Sequence, residues 1–115
     1  MMKNKLKLIV NNKFNKNEKF FIKKELQAIL NLYAKQVSSG DWKDYGLSIN
    51  KREITFDVYQ RASEKPVYRI SKNLRPKNKG EKFYILDRNG KVVKKSENLE
   101  NLINKVEWTN LKLVR

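Results

Sequence analysis

Arg61, Ser63, Glu64, Tyr68 and Arg69 flank one short polar stretch and make the densest set of chemically versatile side chains in the chain. If the flanking segments are paired strands, the charged members gather on one face of a sheet. Planar guanidinium forks there suit phosphate or carboxylate. The same residues also suit an Arg–Glu network that only fixes the loop, which contributes little when exposed. A second set lies in Asn73–Lys82, NLRPKNKGEK, where Arg75, Lys77, Lys79 and Lys82 face Glu81 alone. With Lys23, Lys24, Lys94 and Lys95 it could grip a nucleic-acid backbone, and Tyr59 offers a ring for base stacking. Ordinary solvated turns and helix faces carry lysines of the same kind, so these residues are also compatible with no ligand.

Much chemistry is excluded. The chain has no cysteine and no histidine. Disulfides, thiolate metal sites, cysteine nucleophiles and Ser–His triads are therefore ruled out. Asp41, Asp44, Asp57 and Glu64 are the acids closest in sequence, but none stands in a calcium-loop spacing. Neither G-x-x-x-x-G-K nor G-x-G-x-x-G occurs among the four glycines. General acid–base work without histidine would need a carboxylate, lysine or tyrosine of shifted pKa, and no pattern marks one. No enzyme activity, cofactor, metal or small-molecule substrate is expected.

The formal net charge is +15 over 115 residues, a balance that attracts RNA, DNA or an anionic surface. Lysine outnumbers arginine 21 to 6 and asparagine is abundant, which an AT-rich genome also produces without selection for binding. No apolar run approaches the roughly 20 residues of a membrane span, and Leu6–Val10 is too short for the apolar core of a signal peptide. A cytoplasmic location fits the missing cysteines.

The elements that must position these residues are readable by period. Residues 1–19 form a basic, flexible arm, with Leu6–Val10 alternating as in a short edge strand. Residues 20–115 form one α+β domain. Leu26, Ile29, Leu30, Tyr33 and Val37 make an apolar stripe on a helix over residues 22–39, closed by Gly40. Trp42 and Tyr45 in the following turn either close over the helix end or present a stacking platform.

Leu47 and Ile49 alternate, Lys51-Arg52 turns, and Ile54, Phe56 and Val58 share a face opposite Thr55, Asp57 and Tyr59. Val67–Ser71 and Phe83–Leu86 are further strands. Asn89-Gly90 predicts a type I′ hairpin returning through Lys91–Lys95 as the last central strand. Ser96 caps a second helix with a stripe of Leu99, Leu102, Ile103 and Val106. Trp108 leaves that helix, and Leu111–Val114 has the look of a last edge strand. The sum is an antiparallel meander of four to five strands, with an N-terminal and a C-terminal helix packed on one face.

The stretch GDWKDYGLSINKREITFDVYQRASEKPVYRI resembles a family of short alphaproteobacterial proteins of unknown function. In that family a Leu-Asn-Leu-Tyr helix runs into a Gly-acid-Trp-basic-Asp-Tyr turn. A Phe-x-Val-aromatic-x-Arg strand then leads to Ser-Glu-x-Pro-aliphatic-Tyr-Arg-Ile. Leu30–Tyr33, Gly40–Tyr45, Phe56–Arg61 and Ser63–Ile70 carry these pieces here. The resemblance spans about residues 21–106. It implies a single-domain design and no assigned activity.

The residues themselves point to a nucleic-acid-binding module, RNA before DNA, acting through backbone phosphates. Its candidate contacts are Lys23, Lys24, Tyr59, Arg61, Arg69, Arg75, Lys77, Lys79, Lys94 and Lys95. The alternative is a protein–protein adaptor, or a subunit of a larger assembly, using the open sheet face around Tyr59, Arg61 and Arg69.

Overall fold

The computed structural model describes residues 20–61, 65–106 and 108. The expected basic arm, Ser63, Glu64 and the Leu111–Val114 strand lie outside the described residues. Helix α1 (Lys23–Ser38) leads into a five-stranded antiparallel sheet: β1 (Asp44–Ile49), β2 (Glu53–Tyr59), β3 (Tyr68–Asn73), β4 (Phe83–Asp87) and β5 (Val92–Ser96). Helix α2 (Leu99–Lys105) closes it. The strands lie side by side in chain order, so the sheet is a simple meander.

The local chemistry that starts and stops α1 is visible. Glu25, in the first turn, accepts the Ile22 backbone N–H at 2.9 Å, half of a capping box. At the other end Gly40 takes φ +85°, the Gly40 N–H donates to the Val37 carbonyl and the Asp41 N–H donates to that of Gln36. This is a complete Schellman motif, for which a residue without Cβ is best suited. Helix α2 is capped by Asn98, whose side chain accepts from Asn101 N–H at 2.9 Å. Ser96, the expected cap, instead accepts from Asn98 N–H one step upstream.

Ile54, Phe56 and Val58 of β2 pair with Lys72, Ile70 and Tyr68 of β3, and these pair in turn with Phe83, Ile85 and Asp87 of β4. All but Asp87 are buried, on the face that Ile29, Leu32, Leu99, Leu102 and Ile103 of the helices cover. Each such aliphatic side chain contributes about 1.5–3 kcal/mol by leaving water.

Three further expectations need correction. The buried stripe of α1 is Leu26, Ile29, Leu32 and Gln36, with Leu30 and Tyr33 half-buried and Val37 exposed, because the helix sits rotated toward α2. Strand β5 is an edge, not a central strand. The Gly90 N–H closes onto the Asp87 carbonyl, so Arg88 and Asn89 are the central turn residues and Gly90, at φ +83°, follows them. The Asp87 side chain enforces this by accepting both Asn89 and Lys91 N–H groups, where a type I′ turn would have centred on Asn89-Gly90. Tyr68, which alternates with Ile70 along β3, shares its face as that alternation predicts and packs in the core against Trp42 and Trp108.

Candidate functional site

The β1–β2 turn and the β3–β4 loop meet at one end of the sheet and enclose an open cleft of about 1050 Å³. Its cations are Lys51, Arg52, Arg75 and Lys77, all exposed. Local hydrogen bonds hold the backbone that carries them. Asn50 accepts the Arg52 and Glu53 N–H groups through its side chain, and Asn73 accepts that of Arg75. The Leu74 N–H donates to the Arg52 carbonyl at 2.8 Å, tying the two loops together. Among the described residues, none of the four cations is in a salt bridge.

Two acids also line the cleft, and each is already engaged. Glu53 accepts the Tyr84 hydroxyl, and Glu81 lies 3.9 Å from the Lys95 ammonium. Burial first, then the Glu53 contact, pushes the Tyr84 phenol up to about 12. Tyr84 therefore holds its proton at neutral pH and serves as a fixed donor, not a base.

Of the expected contacts, Arg75 and Lys77 line the cleft. Lys79 stands in the short 3₁₀ turn Lys79–Glu81 that follows it in the same loop. Lys23 and Lys24 open α1, whose first turn is pinned to this end of the sheet through Glu25 and Lys72. Lys94 and Lys95 are exposed on β5, with Lys95 beside Glu81.

Tyr59, Arg61 and Arg69 are not brought to the cleft. Tyr59 reaches over Gly46 and Arg61 follows β2 at the opposite end. The Arg69 guanidinium sits 3.4 Å from Asp57 Oδ1, a distance for ion pairing without hydrogen-bond alignment, so that oxygen accepts no hydrogen bond. Burial raises the Asp57 carboxyl above its usual range, and Arg69 offsets this in part. The middle of the outward sheet face is not open: Thr55, Asp57 and Ser71 are buried, with the two hydroxyls 3.3 Å apart.

Lys51 and Arg52 are functional candidates that sequence reading took as turn residues only. Their signal is non-local, since strand pairing alone brings them to Arg75 and Lys77. Lys72 is a second omission. On the core face of β3 and fully buried, it donates to the Phe20 carbonyl at 2.9 Å and to Glu25 at 2.8 Å. This buried pair anchors the start of α1 and is structural.

A family model described as a protein of unknown function, DUF2794, matches residues 19–103. The chain belongs to the DUF2794 family. The match takes in α1, the whole sheet and all four cations of the cleft, so the cleft lies in the family's own domain. No curated protein and no solved structure matches the chain. Among the described residues no helix is long and apolar enough to cross a membrane, and no three acidic, histidine or cysteine side chains cluster as metal ligands.

Proposed function

We propose that this DUF2794 protein is a nucleic-acid-binding module that grips a phosphate backbone in the cleft at the β1–β2 end of its sheet, without catalysing a reaction. The observation that carries the reading is the convergence of Lys51, Arg52, Arg75 and Lys77, from two separate loops, around one concavity with no carboxylate paired to them. Concave walls of one charge focus the field and raise the local concentration of an oppositely charged chain. Arg52 and Arg75 supply planar forks for phosphate oxygens, and Lys51 and Lys77 supply mobile point charges. Lys23, Lys24 and Lys79 extend the positive surface at the same end. RNA is the first candidate because a helix–meander–helix order is loosely that of a double-stranded-RNA-binding domain, an analogy of fold alone.

The test is fluorescence anisotropy on labelled RNA and DNA, single-stranded and duplex, with the wild type and a Lys51→Glu/Lys77→Glu variant. The reading expects at least a tenfold loss in the variant at about 100 mM salt, with the largest loss on the preferred form. Equal binding by both proteins would overturn it and move the search to protein partners.

A further inference from the structure

The two edges of the sheet differ in how they meet solvent. An edge strand presents unpaired N–H and C=O groups, and proteins guard such edges with lysine, proline, bulges or covering elements. Strand β5 carries Lys94 and Lys95, and its ladder to β4 slips between Ile85 and Leu86. Strand β1, DYGLSI, has no lysine, no proline and an unbroken register to β2 over all six residues.

Its orientation sharpens the contrast. The Asn50 N–H donates to the Glu53 carbonyl within that register, so Asp44, Gly46 and Ser48 direct their backbone groups toward β2. Tyr45, Leu47 and Ile49 direct theirs to the free edge. The same three side chains lie on the helix-covered face, yet they are 50, 42 and 58% exposed. Tyr45 stacks on Phe56 and meets Tyr33, and Val37, one turn beyond Tyr33, is exposed beside them. An apolar strip thus runs along an edge on which, among the described residues, no strand pairs; the Tyr45 N–H donates to the Asp44 carboxylate at 2.8 Å, and Leu47 and Ile49 carry no such local cap.

We propose that β1 pairs antiparallel with β1 of a second copy of this chain, across a two-fold axis at Leu47. The sequence of the strand is self-complementary in that register. Leu47 faces Leu47 of the partner subunit, and Tyr45 faces Ile49 of the partner subunit, so the apolar strip continues across the axis. Gly46 faces Ser48 of the partner subunit on the other side of the sheet, where both are small enough to pass. The backbone groups of Leu47 and Ile49 and the Tyr45 carbonyl then gain partners, with the Tyr45 N–H exchanging the Asp44 carboxylate for the partner strand, and isologous contacts of this kind close into dimers. Charge favours this edge over any other for contact between two strongly cationic chains, because Asp44 is the only charged residue of β1.

The absence of cysteine makes the register directly testable. Residues in a hydrogen-bonded antiparallel pair have Cα atoms about 5.5 Å apart, within disulfide range. Under mild oxidation, Leu47→Cys is expected to cross-link to itself. Tyr45→Cys and Ile49→Cys are expected to cross-link only when mixed with each other. By analytical ultracentrifugation the wild type should tend to twice the 13.7 kDa chain mass at about 100 μM. Leu47→Lys, which gives β1 the guard that β5 already has, should stay at the single-chain mass with an unchanged circular dichroism spectrum. A wild type that stays monomeric at that concentration overturns the proposal. So does a dimer that survives Leu47→Lys, or a monomer whose β1 amides are protected from exchange by another part of its own chain.

Discussion

At one end of the sheet Trp108 packs edge-on against Trp42 and Tyr68, with ring centroids 5.5 and 4.7 Å away. At the other, Lys51, Arg52, Arg75 and Lys77 surround an open cleft. The aromatic end is made by the α1–β1 connection, the start of β3 and the residue past α2, and the cleft by two loops between strands; one is sealed by apolar rings and the other is left charged and open. Acids lie near both ends, Asp41, Asp44 and Asp87 beside Lys43 and Arg88 in sequence and Glu53 and Glu81 in the lining of the cleft, but those of the cleft are engaged by Tyr84 and Lys95 rather than by its four cations. The contrast teaches that a +15 chain need not be uniformly sticky. One end holds the fold, and the other is free to hold a ligand.

The sharpest way to separate the ends is to damage the aromatic one. Trp42→Ala removes a fully buried ring and should lower unfolding stability by about 3–5 kcal/mol in urea titration. The protein that remains folded should bind polyanions as before.

Lys72→Met tests the junction between core and cleft. It leaves Glu25 and the Phe20 carbonyl without their buried donor, at a cost of about 3 kcal/mol by the same titration. Adding Glu25→Gln should recover part of that loss, because no unpaired charge is then left behind.

Damage to the cleft should do the reverse. Arg75→Glu with Lys77→Glu should cost at least tenfold in affinity for a polyanion. Stability should stay within about 0.5 kcal/mol, since both residues are exposed and outside the core. A matching fall in stability would erase the distinction between the two ends.

The smallest effect concerns the sheet face between them. The Asp57 carboxyl is raised in the folded state, chiefly by burial. Its protonated form is therefore favoured by folding, and that contribution is lost as pH rises through the carboxylate range. Asp57→Asn should be more stable than the wild type at pH 7, by up to about 1 kcal/mol. The difference should vanish near pH 3, as thermal unfolding across pH would record.

The fold was legible in sequence wherever one period dominated. Ile54, Phe56 and Val58 alternate against Thr55 and Asp57, and the β2 register follows that alternation. Helix α2 buries Leu99, Leu102 and Ile103 as spaced, and Val106 just past its end. The stripe of α1 was misplaced because Gln36 is polar and Val37 is not, while the position of α2 decides which of them is covered. Lys72 continued the strand period into the core but carried a charge, and only its partner Glu25, far away in sequence, explains its burial.

The cleft was half legible. Arg75 and Lys77 stood out in a loop with one acid, but Lys51 and Arg52 join them through strand pairing, which no local window contains. Arg69 drew attention for its charge and is engaged by Asp57, its directly paired neighbour on β2.

The central claim is that the cleft, rather than the chain's total charge, holds a polyanion, and the salt dependence of binding tests it most directly. Four phosphates neutralised on a single strand give a slope of log K against log salt near −2.8, a loss of about fifty-fold between 50 and 200 mM. The account predicts that slope for the wild type, and a clearly shallower one for Arg75→Glu/Lys77→Glu. The same slope in both proteins would mean that binding is spread over the whole surface and that the cleft has no special part in it.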